Sequence, residues 1–306
     1  MNARRALQTG DIDLRATLKP LGVYSRDPTT RWTSSSFAKA VLTPDGPGTM
    51  LLRWDGLGGT TAEAWGSGAA WLLDRVPHWV GLHDDLEGFD PMIHPGIAEL
   101  ARRHPGIRLP SAGVIWQELL VVLLGQRVTT EEAVKSWARM VYAWGEPAPG
   151  PLELRLPPTP SAVAAVTYTD LHRFNVERRR ADAILLAARR ANRLEEAATM
   201  TVADARVRLS ALPGLGPWTA TSVITSSHGD PDTIVLRDYG LPTMVNHAFT
   251  GDARRLPADE GGDEIMCRHL APWTGHRQRI VRLLFTAGVS APRRGPRARN
   301  PDIRRL

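Results

Sequence analysis

At 306 residues, 42% of them hydrophobic, the chain can bury a sizeable core and divide into two or three domains. No apolar run is long enough to span a bilayer, and the first fifteen residues carry no apolar signal core, so a cytoplasmic protein is expected. The single cysteine, Cys267, excludes an internal disulfide, an iron–sulfur cluster and a multi-cysteine zinc site, and the net charge of +6 favours a polyanionic partner.

The first 110 residues read as a mixed α/β unit. DIDLRATLKPL (11–21) alternates and predicts a strand. FAKAVLTPDGPGTMLLRW (37–54) predicts two strands joined by a turn at 45–48. GLGGTT (56–61) has neither a GK[ST] ending nor dinucleotide-type spacing and reads as a loop. GAAWLLDRV (68–76) and HPGIAELARRH (94–104) predict helices.

From about 111 the pattern is helical. VIWQELLVVLLGQ (114–126) is apolar nearly all round, the mark of a buried helix. TTEEAVKSWARMVYAWG (129–145) opens with Thr129 and Glu132 at capping-box spacing. The proline-rich EPAPGPLELRLPPTPS (146–161) predicts an extended surface connector, and VERRRADAILLAARRANRL (176–194) one amphipathic helix with its arginines on one side. Helices are expected over 202–212, 218–227, 263–270 and 276–288. The tail APRRGPRARNPDIRRL (291–306) is a basic segment expected to order only against a polyanion or its own domain.

Between two of those helices lies LPGLGPWTA (212–220). Gly214 and Gly216 can take positive φ and present no side chain, and Pro217 suits a first helical turn. Free amides beside bare glycines suit an anion such as a nucleic-acid phosphate. An ordinary helix connection fits the hairpin alone equally well.

Three segments together resemble one family: LLGQRVTTEEA (123–133), LPGLGPWTA with DPDTIVLRDYGL (230–241), and APWTGHRQRIVRLLF (271–285). They are similar to the helix–hairpin–helix DNA glycosylases, nearest the 3-methyladenine DNA glycosylase II branch. The resemblance implies an α+β protein: a smaller mixed α/β domain with an antiparallel sheet (1–110), a mainly helical glycosylase domain (111–290) and the basic tail (291–306). It implies a monofunctional enzyme that flips an alkylated base out of double-stranded DNA and hydrolyses its glycosidic bond in base excision repair. No membrane, required cofactor or second subunit is expected, and a nucleoid-associated cytoplasmic location follows. Two other readings stay open: a lesion-binding protein without activity, and a glycosylase for a different modified base.

Carried over residue by residue, the catalytic carboxylate is Asp238, which could stabilise positive charge on the sugar; its residue type alone also fits a helix cap. The base pocket falls on Trp218, Tyr239 and Trp273. Trp218 stands where strand-cutting relatives carry a lysine. Lys19, Lys39 and Lys135 are the only lysines, so a Schiff base there is not expected. DNA-backbone contacts are expected from Gln126, Arg127, Leu212, Gly214, Leu215 and Gly216. Arg127 reads equally as a wedge into the gap left by the base and as a solvent-facing or phosphate-binding residue. The hairpin carbonyls of Ser210, Leu212 and Leu215 are candidates for a structural Na+ or K+ ion.

Overall fold

The computed structural model describes residues 2–23 and 27–292, so nearly all of the expected basic tail, including Arg293, Arg294, Arg297 and Arg299, lies outside the described residues. The chain opens with β1 (Asn2–Gln8) and α1 (Leu14–Leu18), followed by β2 (Thr30–Trp32), β3 (Ser36–Thr43), β4 (Gly46–Trp54) and β5 (Gly59–Gly66). The five strands form one antiparallel sheet in the order β1-β5-β4-β3-β2.

Three sequence expectations need correction here. Segment 11–21 is helical rather than extended. Asp13 caps α1 by accepting the Ala16 amide at 2.9 Å, and Leu14, Leu18 and Leu21, at helical spacing, are all buried. The β3–β4 register pairs Thr43 with Gly46, so only Pro44 and Asp45 make the turn, earlier than 45–48. Of the expected loop 56–61, Gly59 to Thr61 belong to β5. The Asp55 carboxylate gathers the amides of Leu57 (2.7 Å) and Gly59 (3.0 Å), closing a turn short enough to release Gly59 into pairing with Gln8.

One sheet face, with Phe37, Val41, Met50, Leu52 and Ala62, packs against Leu72, Val76 and Trp79 of α2 (Ala69–Trp79). The other face, with Ala38, Ala40 and Leu51, is covered by Leu154 and Leu156. The proline-rich segment is therefore a lid on the sheet, not a surface connector. It is pinned by the Leu156 amide on Glu146 (2.8 Å) and the Arg155 amide on Pro28 (3.0 Å). Its prolines signal loop, but the leucines between them supply the cover, each contributing about 1.5–3 kcal/mol of burial.

The helical part comprises α3 (Pro95–Arg103), α4 (Trp116–Gly125), α5 (Thr130–Trp144), α6 (Pro160–Ala164), α7 (Tyr168–His172), α8 (Arg178–Arg189), α9 (Ala191–Glu195), α10 (Val202–Ser210), α11 (Pro217–Ser227), α12 (Leu241–Thr250), α13 (Gly262–Leu270) and α14 (Arg277–Thr286). The capping box of Thr129 and Glu132 on α5 is formed. Segment 176–194 is two helices, broken at Arg190 (φ −113, ψ 11). Its arginines are not all on one outer face: Arg180 turns inward and donates to Leu124 O and Asn175 O, each at 2.9 Å.

Two helical cores result. One centres on Leu119, Leu120, Leu123 and Leu124 of α4, with Trp137, Ile184, Leu209, Leu215 and Val223 around them. The other joins Ile97 of α3 to Leu241, Val245, Met266, Leu270, Trp273 and Ile280 near the C-terminus. Glu195 from α9 caps α4 by accepting the amides of Ile115 and Trp116, both at 2.8 Å, and its burial pushes the carboxyl above the usual range. The buried Lys39–Glu118 pair (3.0 Å) ties β3 to α4. Asp84 receives both Arg279 Nη1 (2.6 Å) and Nη2 (2.7 Å), tying the segment before α3 to α14. No described helix is long and apolar enough to cross a membrane.

Candidate active site

The hairpin at 211–216 joins α10 to α11. Leu215 is buried in the first helical core and Leu212 packs against it, so both side chains point inward and only their backbone can meet a partner. Gly214 sits at φ +90, and a Cβ there would lie 2.7 Å from the Ala183 Cβ on α8. Glycine is thus required at 214 by conformation and by close helix approach. Gly216 differs from expectation. Its φ is −73, which any residue adopts, and a Cβ would meet nothing within 4 Å. The protein's own packing does not require glycine at 216; what the missing side chain leaves is an open approach to the start of α11, where the first amides have no intrahelical acceptor.

Gln126, expected at the DNA, faces the hairpin instead. Its amide group donates to Gly214 O (3.1 Å) and Thr219 Oγ1 (2.9 Å), bracing the turn after α4 against the hairpin. Arg127 follows in the left-handed region (φ 56) and is exposed. That conformation is costly for a side chain of this size.

Asp238 lies on the segment between α11 and α12. Its Oδ1 accepts the amides of Gly240 and Leu241, both at 2.8 Å, so it does cap α12. Its Oδ2 accepts the Trp218 indole N–H at 3.0 Å. Capping does not use up the carboxylate: the amides hold Oδ1, and Oδ2 keeps acceptor capacity beyond the indole bond. The first turn of α11 and the start of α12 are joined through this one side chain.

The expected pocket residues separate. Trp218 is half-buried beside Asp238. Tyr239 is 78% exposed, and the Arg255 guanidinium stands 4.7 Å over its ring. Trp273 belongs to the C-terminal core, is 3% exposed and donates its indole N–H to Asp90 O at 2.8 Å. Its ring packs within that core, the common fate of a large indole.

Residues outside the expected site build the support. The Arg237 amide donates to Asp263 Oδ2 at 2.9 Å, fixing the turn that delivers Asp238. Asp232 accepts the Gly275 amide (2.8 Å) and Arg277 Nε (2.7 Å), anchoring the 230–234 segment to the start of α14. Burial alone would raise its carboxyl, but Arg277 and these amides outweigh that and hold it below the usual range. Capping aspartates are too common for these roles to be read without coordinates.

Among the described residues no group of three or more His, Cys, Asp or Glu could hold a metal ion. The hairpin carbonyls of Ser210, Leu212 and Leu215 are a neutral oxygen set. The Leu212 carbonyl accepts the Leu215 amide at 3.0 Å and retains a second lone pair, which fits a weakly held alkali ion rather than a transition metal.

No protein-family model matches the chain. It is 29% identical over 171 residues to DNA-3-methyladenine glycosylase 2 of Escherichia coli (strain K12), covering 55% of this chain and 58% of that protein. The chain thus spans less than two thirds of the length of that relative. The solved 3-methyladenine DNA glycosylase of Archaeoglobus fulgidus superposes with a TM-score of 0.76 at 17% identity, over 94% of this chain and 99% of that one. The 8-oxoguanine glycosylase/lyase of Clostridium acetobutylicum, solved with double-stranded DNA, gives 0.66 at 12% identity, over 94% and 97%.

The chain therefore has the α+β fold of the helix–hairpin–helix DNA glycosylases, with the small antiparallel sheet and the hairpin in place. Within that fold its sequence is similar to proteins named DNA-3-methyladenine glycosylase, among them glycosylase 2 of Escherichia coli (strain K12).

Proposed function

We propose that this protein is a monofunctional DNA glycosylase that removes alkylated bases of the 3-methyladenine type from double-stranded DNA. The observation that carries the reading is the Asp238 carboxylate, held by three N–H donors on the segment that follows the hairpin and α11. As the bond from the sugar to the base breaks, its electrons leave with the base and positive charge develops on the sugar. Oδ2 is the oxygen available to stabilise that charge and to orient the water that completes hydrolysis. Because Oδ1 and Oδ2 are already fixed, little reorganisation is needed when the charge appears.

The hairpin supports a sequence-independent grip: the start of α11 and the uncovered Gly216 suit a phosphate. An alkali ion on the hairpin carbonyls would add positive charge there. Hydrolysis without strand cutting is favoured by the amines available. Trp218 stands beside Asp238, Lys135 pairs with Glu131 at 2.6 Å, and Lys39 is buried against Glu118. A monomer acting in the cytoplasm is consistent with this reading.

The test compares wild type with Asp238→Asn on duplexes carrying defined alkylated bases, with abasic sites revealed by heat and alkali. Excision should fall by several orders of magnitude while most DNA binding remains. Near-normal excision by the variant would reject the assignment. Strand cutting by wild type without alkali, with a borohydride-trapped complex, would reverse the monofunctional reading.

A further inference from the structure

The segment Leu236–Arg237–Asp238–Tyr239 presents four chemically different side chains in a row at the surface. Leu236 is 37% exposed, Arg237 is exposed, Asp238 is half-buried and Tyr239 is 78% exposed. Arg237 is in the left-handed region (φ 60), where a side chain of this kind is costly. Its amide is committed to Asp263 Oδ2, so the conformation is held from behind. Among the described residues, its guanidinium has no hydrogen bond or ion pair.

Arg255 has the same character. Its neighbour Arg254 pairs with Asp252 at 2.7 Å, but among the described residues Arg255 has no ion pair or hydrogen bond and stands only over the Tyr239 ring. Arginines elsewhere on the surface show the alternative: Arg53 pairs with Glu63, Arg178 with Asp182, and Arg102 with Glu99. Two uncommitted guanidinium groups thus flank the carboxylate, one on the preceding residue and one stacked on the following residue. Neither lies within ion-pair distance of Asp238.

We infer that Arg237 and Arg255 form a clamp for the phosphates on either side of the nucleotide whose sugar lies against Asp238. The inference rests on the glycosylase reading of that site and adds to the hairpin a second backbone grip built from side chains. A guanidinium suits phosphate through paired N–H donors, and the aromatic stack pre-orients Arg255 for that use. The left-handed turn sends Arg237 outward while Asp263 holds its backbone.

The experiment measures affinity against salt for a duplex with a tetrahydrofuran abasic analogue. Wild type, Arg237→Ala, Arg255→Ala, the double variant and Arg102→Ala are compared. Each lost phosphate contact lowers the slope of log affinity against log salt by about 0.9. Between 50 and 200 mM salt, wild-type affinity should therefore fall about 3.5-fold more than that of either single variant. The double variant should lose about twice the slope, Arg237→Lys should restore it, and Arg102→Ala should leave it at the wild-type value. Slopes in Arg237→Ala and Arg255→Ala equal to wild type, in protein with an unchanged melting temperature, would overturn the clamp. Excision by wild type is scored separately. Its absence alongside reduced slopes would sink the glycosylase reading and leave the clamp standing; its presence with unchanged slopes would do the reverse.

Discussion

Asp238 keeps its place through three donors, and the donors are not equivalent. The amides of Gly240 and Leu241 come with α12, whereas the Trp218 indole reaches across from α11. Trp218→Phe keeps an aromatic side chain, though a smaller one, and deletes the N–H on Oδ2. A hydrogen bond to a charged group contributes about 1.5–3 kcal/mol, so single-turnover excision should slow about tenfold or more. Affinity for abasic-analogue duplex should stay near wild type. A slowing that appears only in affinity would mean that Trp218 touches DNA instead of positioning the carboxylate. The hairpin glycines allow a cleaner separation. Gly214→Ala meets Ala183 and a positive φ and should cost about 1–3 kcal/mol, read as a lower melting temperature. Gly216→Val should melt like wild type, since a Cβ there meets nothing within 4 Å, yet bind all duplexes more weakly if the proposed hairpin grip holds. Full binding by the folded Gly216→Val protein would reduce the hairpin to a helix connection.

At the scale of elements, α4 depends on a neighbour for its start. Its N-cap residue, Ile115, supplies no capping side chain, and Glu195 from α9 does that work with both carboxylate oxygens. Burial raises the Glu195 carboxyl, so between its ordinary and its raised value the folded protein binds more protons than the unfolded one. Stability from this group therefore falls as pH rises through that window and stays lost above it. Compared by denaturant midpoint, wild type minus Glu195→Gln should decline from about pH 4 upward; a difference flat with pH would remove Glu195 from the account. What was legible in sequence follows from the range of the interactions. The capping box on α5, the buried α4 and the Gly/Pro hairpin are local and were readable. The lid of Leu154 and Leu156, the inward turn of Arg180 and the cap from Glu195 join distant residues, so local spacing carries no trace of them. The motif marked Asp238, but Trp273 looked the same as a pocket wall and as a core indole until its surroundings were known.

Over the whole molecule, chain order and packing part company. Residues near Ile97 leave the sheet to join the C-terminal helices, and Asp84 binds Arg279 across that return. The first helical core carries the hairpin and Trp218, while the C-terminal core carries the helix that follows Asp238. The 3.0 Å bond from indole to carboxylate therefore spans a seam between two separately packed bodies. Such a bond acts as a gauge of alignment, since a slip of about an ångström breaks it while both interiors stay closed. On slow heating, excision should consequently fade before the helices melt. Paired measurements of activity and far-ultraviolet circular dichroism would reveal the gap, and coincident losses would mean that the two bodies come apart only as they unfold.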